Sequence, residues 1–273
     1  MRTIAARPIL ETQGYRLDNL RFALGARTIL QDLHLRIAPG ECVSLLGPSG
    51  SGKTSLLRLL AGLEQPTFGR VLWNGREMAG LGLDRGAVFE DCGFVPWLSL
   101  EDNMAMAIDA AHPGTPSLRC QELAAHSLEL VGLGNVGGKR PSELSRGMRQ
   151  RGAIARALAM GAPVLLLDDP FCVLDRAERV LCRELLGRVR DVATPRPTVV
   201  LATGDLDEAL ALADRVIGLG PGPGPIMLDE PLAPTRGNPA ALSALSRRIE
   251  DLYHQEDRRR RAAEEFFGLG AGI

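Results

Sequence analysis

Residues 42–62 read CVSLLGPSGSGKTSLLRLLAG, and this stretch decides the fold. Five apolar or small residues form a strand bounded by glycine. Leu56, Leu57, Leu59 and Leu60 then recur on one broad helical face from about Lys53 to Gly62. Between strand and helix lies GPSGSGKTS, residues 47 to 55, which fits G-x-x-x-x-G-K-[ST] in the context that gives the pattern meaning. Gly47, Gly50 and Gly52 let the backbone curl so that successive amides face one anion, with Pro48, Ser49, Ser51 and Ser55 completing the loop. The helix N-terminus adds its positive end. Lys53 is placed to reach the β- and γ-phosphates, and Thr54 offers a hydroxyl to Mg²⁺. The expected ligands are a nucleoside triphosphate, ATP by the reading below, and Mg²⁺.

A second strand has the same purpose. VLLLD, residues 164 to 168, runs straight into Asp169 and Pro170. A carboxylate leaving a buried strand beside a phosphate loop suits a Mg²⁺ ligand, so Asp168 takes that role.

Outward from these, strand and helix alternate through the middle of the chain, which argues a mostly parallel, doubly wound sheet. YRLDNLRFAL and LHLRI, between about residues 16 and 37, alternate as antiparallel strands. RVLWNG (70–75) and GAVFED (86–91) read as further strands. Two helices broken by HPGTP fill 101–135, and helices cover 146–160 and 176–193. PTVVLAT, RVIGLG and IMLDE are strands, and Asp205 caps a short helix. The fold class is therefore α/β: a P-loop NTPase core with a mostly parallel sheet, an N-terminal antiparallel β subdomain and a helical subdomain at about 97–160. An extension covers 1–15, the main domain 16–235, and a charged helical tail 236–273.

Composition narrows the function. A net charge of −1 gives no electrostatic footprint for nucleic acid. Cys42, Cys92, Cys120, Cys172 and Cys182 form no CxxC pair, so a reduced cytosol fits better than a disulfide framework. No apolar run reaches membrane-spanning length. His126 and His254 read as solvent-facing helix residues. The run from Arg258 to Arg261 is flanked by acids and reads as a solvated helix end, and Phe266 with Phe267 reads as a docked tail.

From about residue 16 to residue 235 the chain resembles the ATP-binding subunits of ATP-binding-cassette (ABC) transporters. The resemblance rests on GPSGSGKTS, ELSRGMRQRGAIARAL (143–158), VLLLDDPFCVLD (164–175) and TGDLDEALALADRV (203–216). FVPWLSLEDNM (94–104) is similar to the importer branch for nitrate, taurine, alkanesulfonates and related small solutes. The family implies two such subunits sandwiching ATP head to tail, as a homodimer or heterodimer. It implies a permease helix in a groove near residues 88–104, a solute-binding protein in the complex, and a cytoplasmic location on the inner membrane face.

The chain departs from the family's pattern in five places. The signature, Leu-Ser-Gly-Gly-Gln in the family, is Leu144, Ser145, Arg146, Gly147 and Met148. Arg146 crowds the phosphate, lends it a cation, or turns outward. Glu90 replaces the glutamine that senses metal and permease; as a catalytic-site residue its carboxylate can still accept from water or bind Mg²⁺, and it adds negative charge near the phosphates. Leu24 falls where an aromatic stacks on adenine, with Phe22 expected in the core. Asp169 replaces the glutamate base and is one methylene shorter. Gly204 replaces a histidine that bonds the γ-phosphate. Removing one such donor typically costs about 10²–10³ in rate. Water or Asp205 are the candidates to compensate. Asp175 occupies a dimer-seam position and equally suits an ordinary helix cap. These changes imply a cassette that binds Mg-ATP and hydrolyses it slowly. The alternative is a non-hydrolytic regulatory or structural subunit paired with an active cassette.

Overall fold

The computed structural model describes residues 13–269 except Gly224, Pro234, Arg236 and Gly237, with side chains as far as Arg258. The expected N-terminal extension lies almost wholly outside the described residues, as do the side chains of Arg259, Arg260, Arg261, Phe266 and Phe267.

Two sheets share one core. The first has β1 (Tyr15–Leu24), β2 (Arg27–Ile37), β4 (Phe68–Trp73) and β5 (Arg76–Glu77), in the antiparallel order β2-β1-β4-β5. The second has β3 (Cys42–Leu46), β6 (Arg85–Val88), β7 (Val164–Asp168), β8 (Thr198–Thr203), β9 (Arg215–Leu219) and β10 (Ile226–Pro231). Its order is β10-β9-β3-β8-β7-β6, and only the β10–β9 pair is antiparallel.

Helix α1 (Lys53–Ala61) lies in the cluster that joins the sheets, because its leucines are apolar nearly all round. Leu56, Leu57, Leu59 and Leu60 are at most 1% exposed. Burying such a side chain stabilises by about 1.5–3 kcal/mol. The Tyr15 hydroxyl donates to the Leu60 carbonyl at 2.8 Å, pinning the end of α1 to the first sheet. Phe22 is buried there, as strand alternation requires.

The helical region contains α2 (Leu100–Ala111) and α3 (Ser117–Leu130), packed on one side of α4 (Arg146–Ala159). The opposite side of α4, with Ala153, Ile154 and Ala157, packs on β7 and on α5 (Arg176–Val192). Thus α4 belongs to both cores. Helix α6 (Leu206–Leu212) follows β8, and α7 (Pro239–Leu269) closes the chain. Leu245 and Ile249 of α7 are buried against Leu46, Ala209, Ala213, Val216 and Leu232.

One element is shorter than its sequence suggests. GAVFED is not a strand to its end: pairing with β7 covers Arg85 to Val88 only. The Cys92 amide then donates to the Phe89 carbonyl, and the left-handed φ values of Cys92 and Gly93 carry the backbone off the sheet. Glu90 therefore sits in a turn. Among the described residues no helix is long and apolar enough to cross a membrane.

Candidate nucleotide site

Parallel pairing brings the expected residues to one edge. Leu46 of β3 pairs with Thr203 of β8, and Asp168 of β7 pairs with Ala202. The segments after these strands therefore emerge together at their carboxyl ends, where ligands bind in open α/β sheets. There they line a cavity of about 1070 Å³.

The phosphate loop forms one wall. Gly50 and Gly52 have φ of 79° and 94°, a region that favours glycine. A Cβ on Gly52 would come within 2.6 Å of a Leu30 methyl. No side chain caps the first turn of α1, so its leading amides lack a side-chain acceptor and suit an anion. Eight of the nine loop residues line the cavity; Ser51 lies beneath, with its buried hydroxyl unpartnered. The buried Lys53 ammonium donates to the Gly47 carbonyl at 2.7 Å and the Pro48 carbonyl at 3.1 Å. Burial lowers its pKa, and the charges of Asp169 and Asp168 oppose that shift.

Thr54 donates its hydroxyl to the Asp168 carboxylate at 3.1 Å. Burial raises the Asp168 pKa, and the Thr54 bond partly offsets it. Two hard oxygen donors with charge to spare fit Mg²⁺, which completes its shell with phosphates and water. Among the described residues no cluster of three or more acids, histidines or cysteines forms a metal cage.

The other expected residues divide. Asp169 and Gly204 both line the cavity, and the Gly204 amide donates to the Asp169 carboxylate at 3.3 Å. Asp169 has φ 42°, and its own amide donates to the Ala202 carbonyl. Asp205 is committed elsewhere: it accepts from the Glu208 amide and faces Arg179. Leu24 is exposed at the end of β1 and does not line the cavity; Arg27 and Ile29 do.

The signature segment is separate from this cavity. Ser145 caps α4 by accepting from the Met148 amide at 3.1 Å, and Leu144 and Met148 turn into the helical core. A Cβ on Gly147 would sit 3.2 Å from a Glu178 carboxylate oxygen. Asp175 caps α5 reciprocally with Glu178. Arg146 donates to Glu90 at 2.7 Å, linking two departures that sequence reading treated as independent.

A profile of the ABC transporter family matches residues 30–172. The chain belongs to that family.

Relatives agree with the assignment of this ABC transporter chain. It is 43% identical over 199 residues to the Nitrate import ATP-binding protein NrtD of Synechococcus elongatus, covering 73% of this chain and 72% of the relative. It is 39% identical over 238 residues to the Aliphatic sulfonates import ATP-binding protein SsuB 2 of Burkholderia cenocepacia, covering 86% and 85%. The fold is similar to that of the dimeric, post-hydrolysis ATP-binding cassette MJ0796 bound to ADP and Pi. That similarity has a TM-score of 0.73 at 29% identity, covering 80% of this chain and 98% of the other. This ABC transporter chain is thus an ATP-binding cassette, and the cavity is its candidate nucleotide site.

Sequence reading missed one wall. Ile249, Glu250, Tyr253, His254 and Asp257 of α7 line the same cavity. The apolar spacing Leu245, Ile249, Tyr253 was a legible stripe, but nothing in it named the surface it covers.

Proposed function

We propose that this chain is the ATP-hydrolysing subunit of a membrane importer for small anions of the nitrate or sulfonate kind. The names of its relatives support the solute class. In this reading the chain binds Mg-ATP, and Asp168 and Thr54 hold the metal. It then dimerises head to tail with a second cassette and transmits closure to permease subunits on the inner membrane face. A solute-binding protein supplies the anion from outside. Asp169 orients the attacking water, and the N–H of Gly204 is the only bond that residue gives the base. Neither arrangement favours fast cleavage, so hydrolysis is slow until a partner assists.

One observation carries the reading: the uncapped, glycine-curled loop of 47–55 and Asp169 line one cavity large enough for a nucleotide. Equilibrium dialysis of the full chain with Mg-ATP tests it. The chain should bind ATP, and Lys53→Ala should weaken binding by roughly ten- to a hundredfold, as expected for lost charge-assisted bonds. A chain that ignores millimolar-range ATP ends the proposal.

A further inference from the structure

We propose that α7 completes the nucleotide site and that His254 donates a hydrogen bond to the terminal phosphate of bound ATP. This rests on the nucleotide reading of the cavity.

The helix is seated, not adjacent by chance. Leu245 and Ile249 are 6% and 1% exposed in their shared core, and Arg248 pairs with Glu230. The Tyr253 hydroxyl lies 2.9 Å from the Leu46 carbonyl and 3.2 Å from the Leu219 carbonyl. Leu46 immediately precedes Gly47, so the anchor grips the base of the phosphate loop itself. A Cβ on Gly218 would stand 3.1 Å from that hydroxyl, so glycine there leaves room for it.

Residues 249, 250, 253, 254 and 257 fall on one helical stripe and share the cavity with Ser49, Gly50 and Lys53. His254 directly follows the anchor and is exposed. It is the only imidazole lining the cavity among the described residues. On either side, Glu250 and Asp257 present carboxylates, which ionised can only accept. Imidazole keeps an N–H to donate whether neutral or protonated.

The need for such a donor is local. Gly204 offers no side chain, and a Cβ built there meets nothing nearer than the Gly47 carbonyl at 3.9 Å. That side of the cavity is open, and α7 adds His254 to the same lining.

The test is calorimetric titration of the full chain with Mg-ATP and with Mg-ADP. His254→Ala should weaken ATP about tenfold, the size of one hydrogen bond to a charged group, and leave ADP unchanged. His254 is exposed, so the variant should melt with the parent chain. If ATP affinity stays within about twofold of the parent, or if ATP and ADP weaken together, the contact to the terminal phosphate is wrong. If the parent chain binds ATP while the variant matches it, only this inference falls. If the parent binds neither nucleotide, the reading of the cavity falls with it.

Discussion

Arg146 Nη2 lies 2.7 Å from Glu90 Oε1, joining the first residue of α4 to the turn after β6. Each residue breaks the family's pattern alone; together they cancel in charge. Both side chains are well exposed, at 59% and 80%, so the pair adds little to stability. Its expected effect is on the ligand. Glu90 lines the nucleotide cavity, where an unneutralised carboxylate repels a triphosphate. Arg146→Ala should weaken Mg-ATP binding by roughly two- to fivefold, the range of exposed ion pairs. Glu90→Gln in that background should restore it. Calorimetric titration of the parent, both single variants and the double variant measures the coupling. Equal affinities for the parent and Arg146→Ala would mean the pair is irrelevant to the nucleotide.

In the proposed mechanism the contact between Asp169 and Gly204 bears on rate. Asp169 sits at φ 42°, where Asp is tolerated better than longer side chains. Its carboxylate is held by the Gly204 amide rather than by a side chain. A Cβ at 204 meets no neighbour closer than 3.9 Å, so a side chain can leave the backbone there. Gly204→His combined with Asp169→Glu should raise single-turnover ATP cleavage by about ten- to a hundredfold, less than a simple sum because the two act as a unit. The longer acid should also lower the melting temperature slightly through backbone strain. A parent chain that already turns over several times per second would contradict slow cleavage.

Most of this fold was legible. CVSLL, VLLLD and TVVLAT are apolar throughout because β3, β7 and β8 are buried on both faces, and their bounds fall close to the sequence reading. GAVFED misled because strand propensity continues past Val88 while the backbone does not. Turn geometry at Cys92 and Gly93 ends the ladder, and no local hydrophobic pattern announces it. The phosphate loop announced itself because its chemistry is contiguous. The Arg146–Glu90 pair spans 56 positions and the α7 wall stands about 200 residues from the loop, so only the folded chain brings them together. Leu24 lies off the cavity lining for a related reason. Alignment fixes position along a strand, whereas Arg27 and Ile29 reach the cavity from beyond the β1–β2 turn.

Asp168 should trade stability against ligand. Its carboxyl is buried, accepts from Thr54, and carries the desolvation cost of a charge near Asp169. Asp168→Asn removes that charge at similar volume. The nucleotide-free variant should therefore melt higher than the parent at neutral pH. It should also lose the magnesium dependence of ATP binding, because the strongest oxygen donor to the metal is gone. Differential scanning calorimetry and dialysis with and without magnesium read the two effects. A lower melting temperature in the variant would mean that the acid's bonds outweigh its desolvation.

Glu208 gives the fold a pH dependence whose sign can be worked out. It is 4% exposed, accepts from the Thr203 hydroxyl at 3.0 Å and faces Arg179 at 3.2 Å. Burial raises its pKa; the Thr203 bond and the Arg179 charge oppose that, and Asp205 adds to it. In the unfolded chain the group titrates at its ordinary value. Between that value and the raised one, the folded state binds more protons than the unfolded state, so stability falls as pH rises through the window. The contribution is complete below the unfolded value and is lost above the folded one. Glu208→Gln has no such proton and keeps an acceptor for Thr203. The melting temperature of the parent minus that of Glu208→Gln should therefore decline as pH rises above the ordinary carboxylate value. A difference that grows with pH would mean that the Arg179 ion pair, not burial, governs this carboxyl.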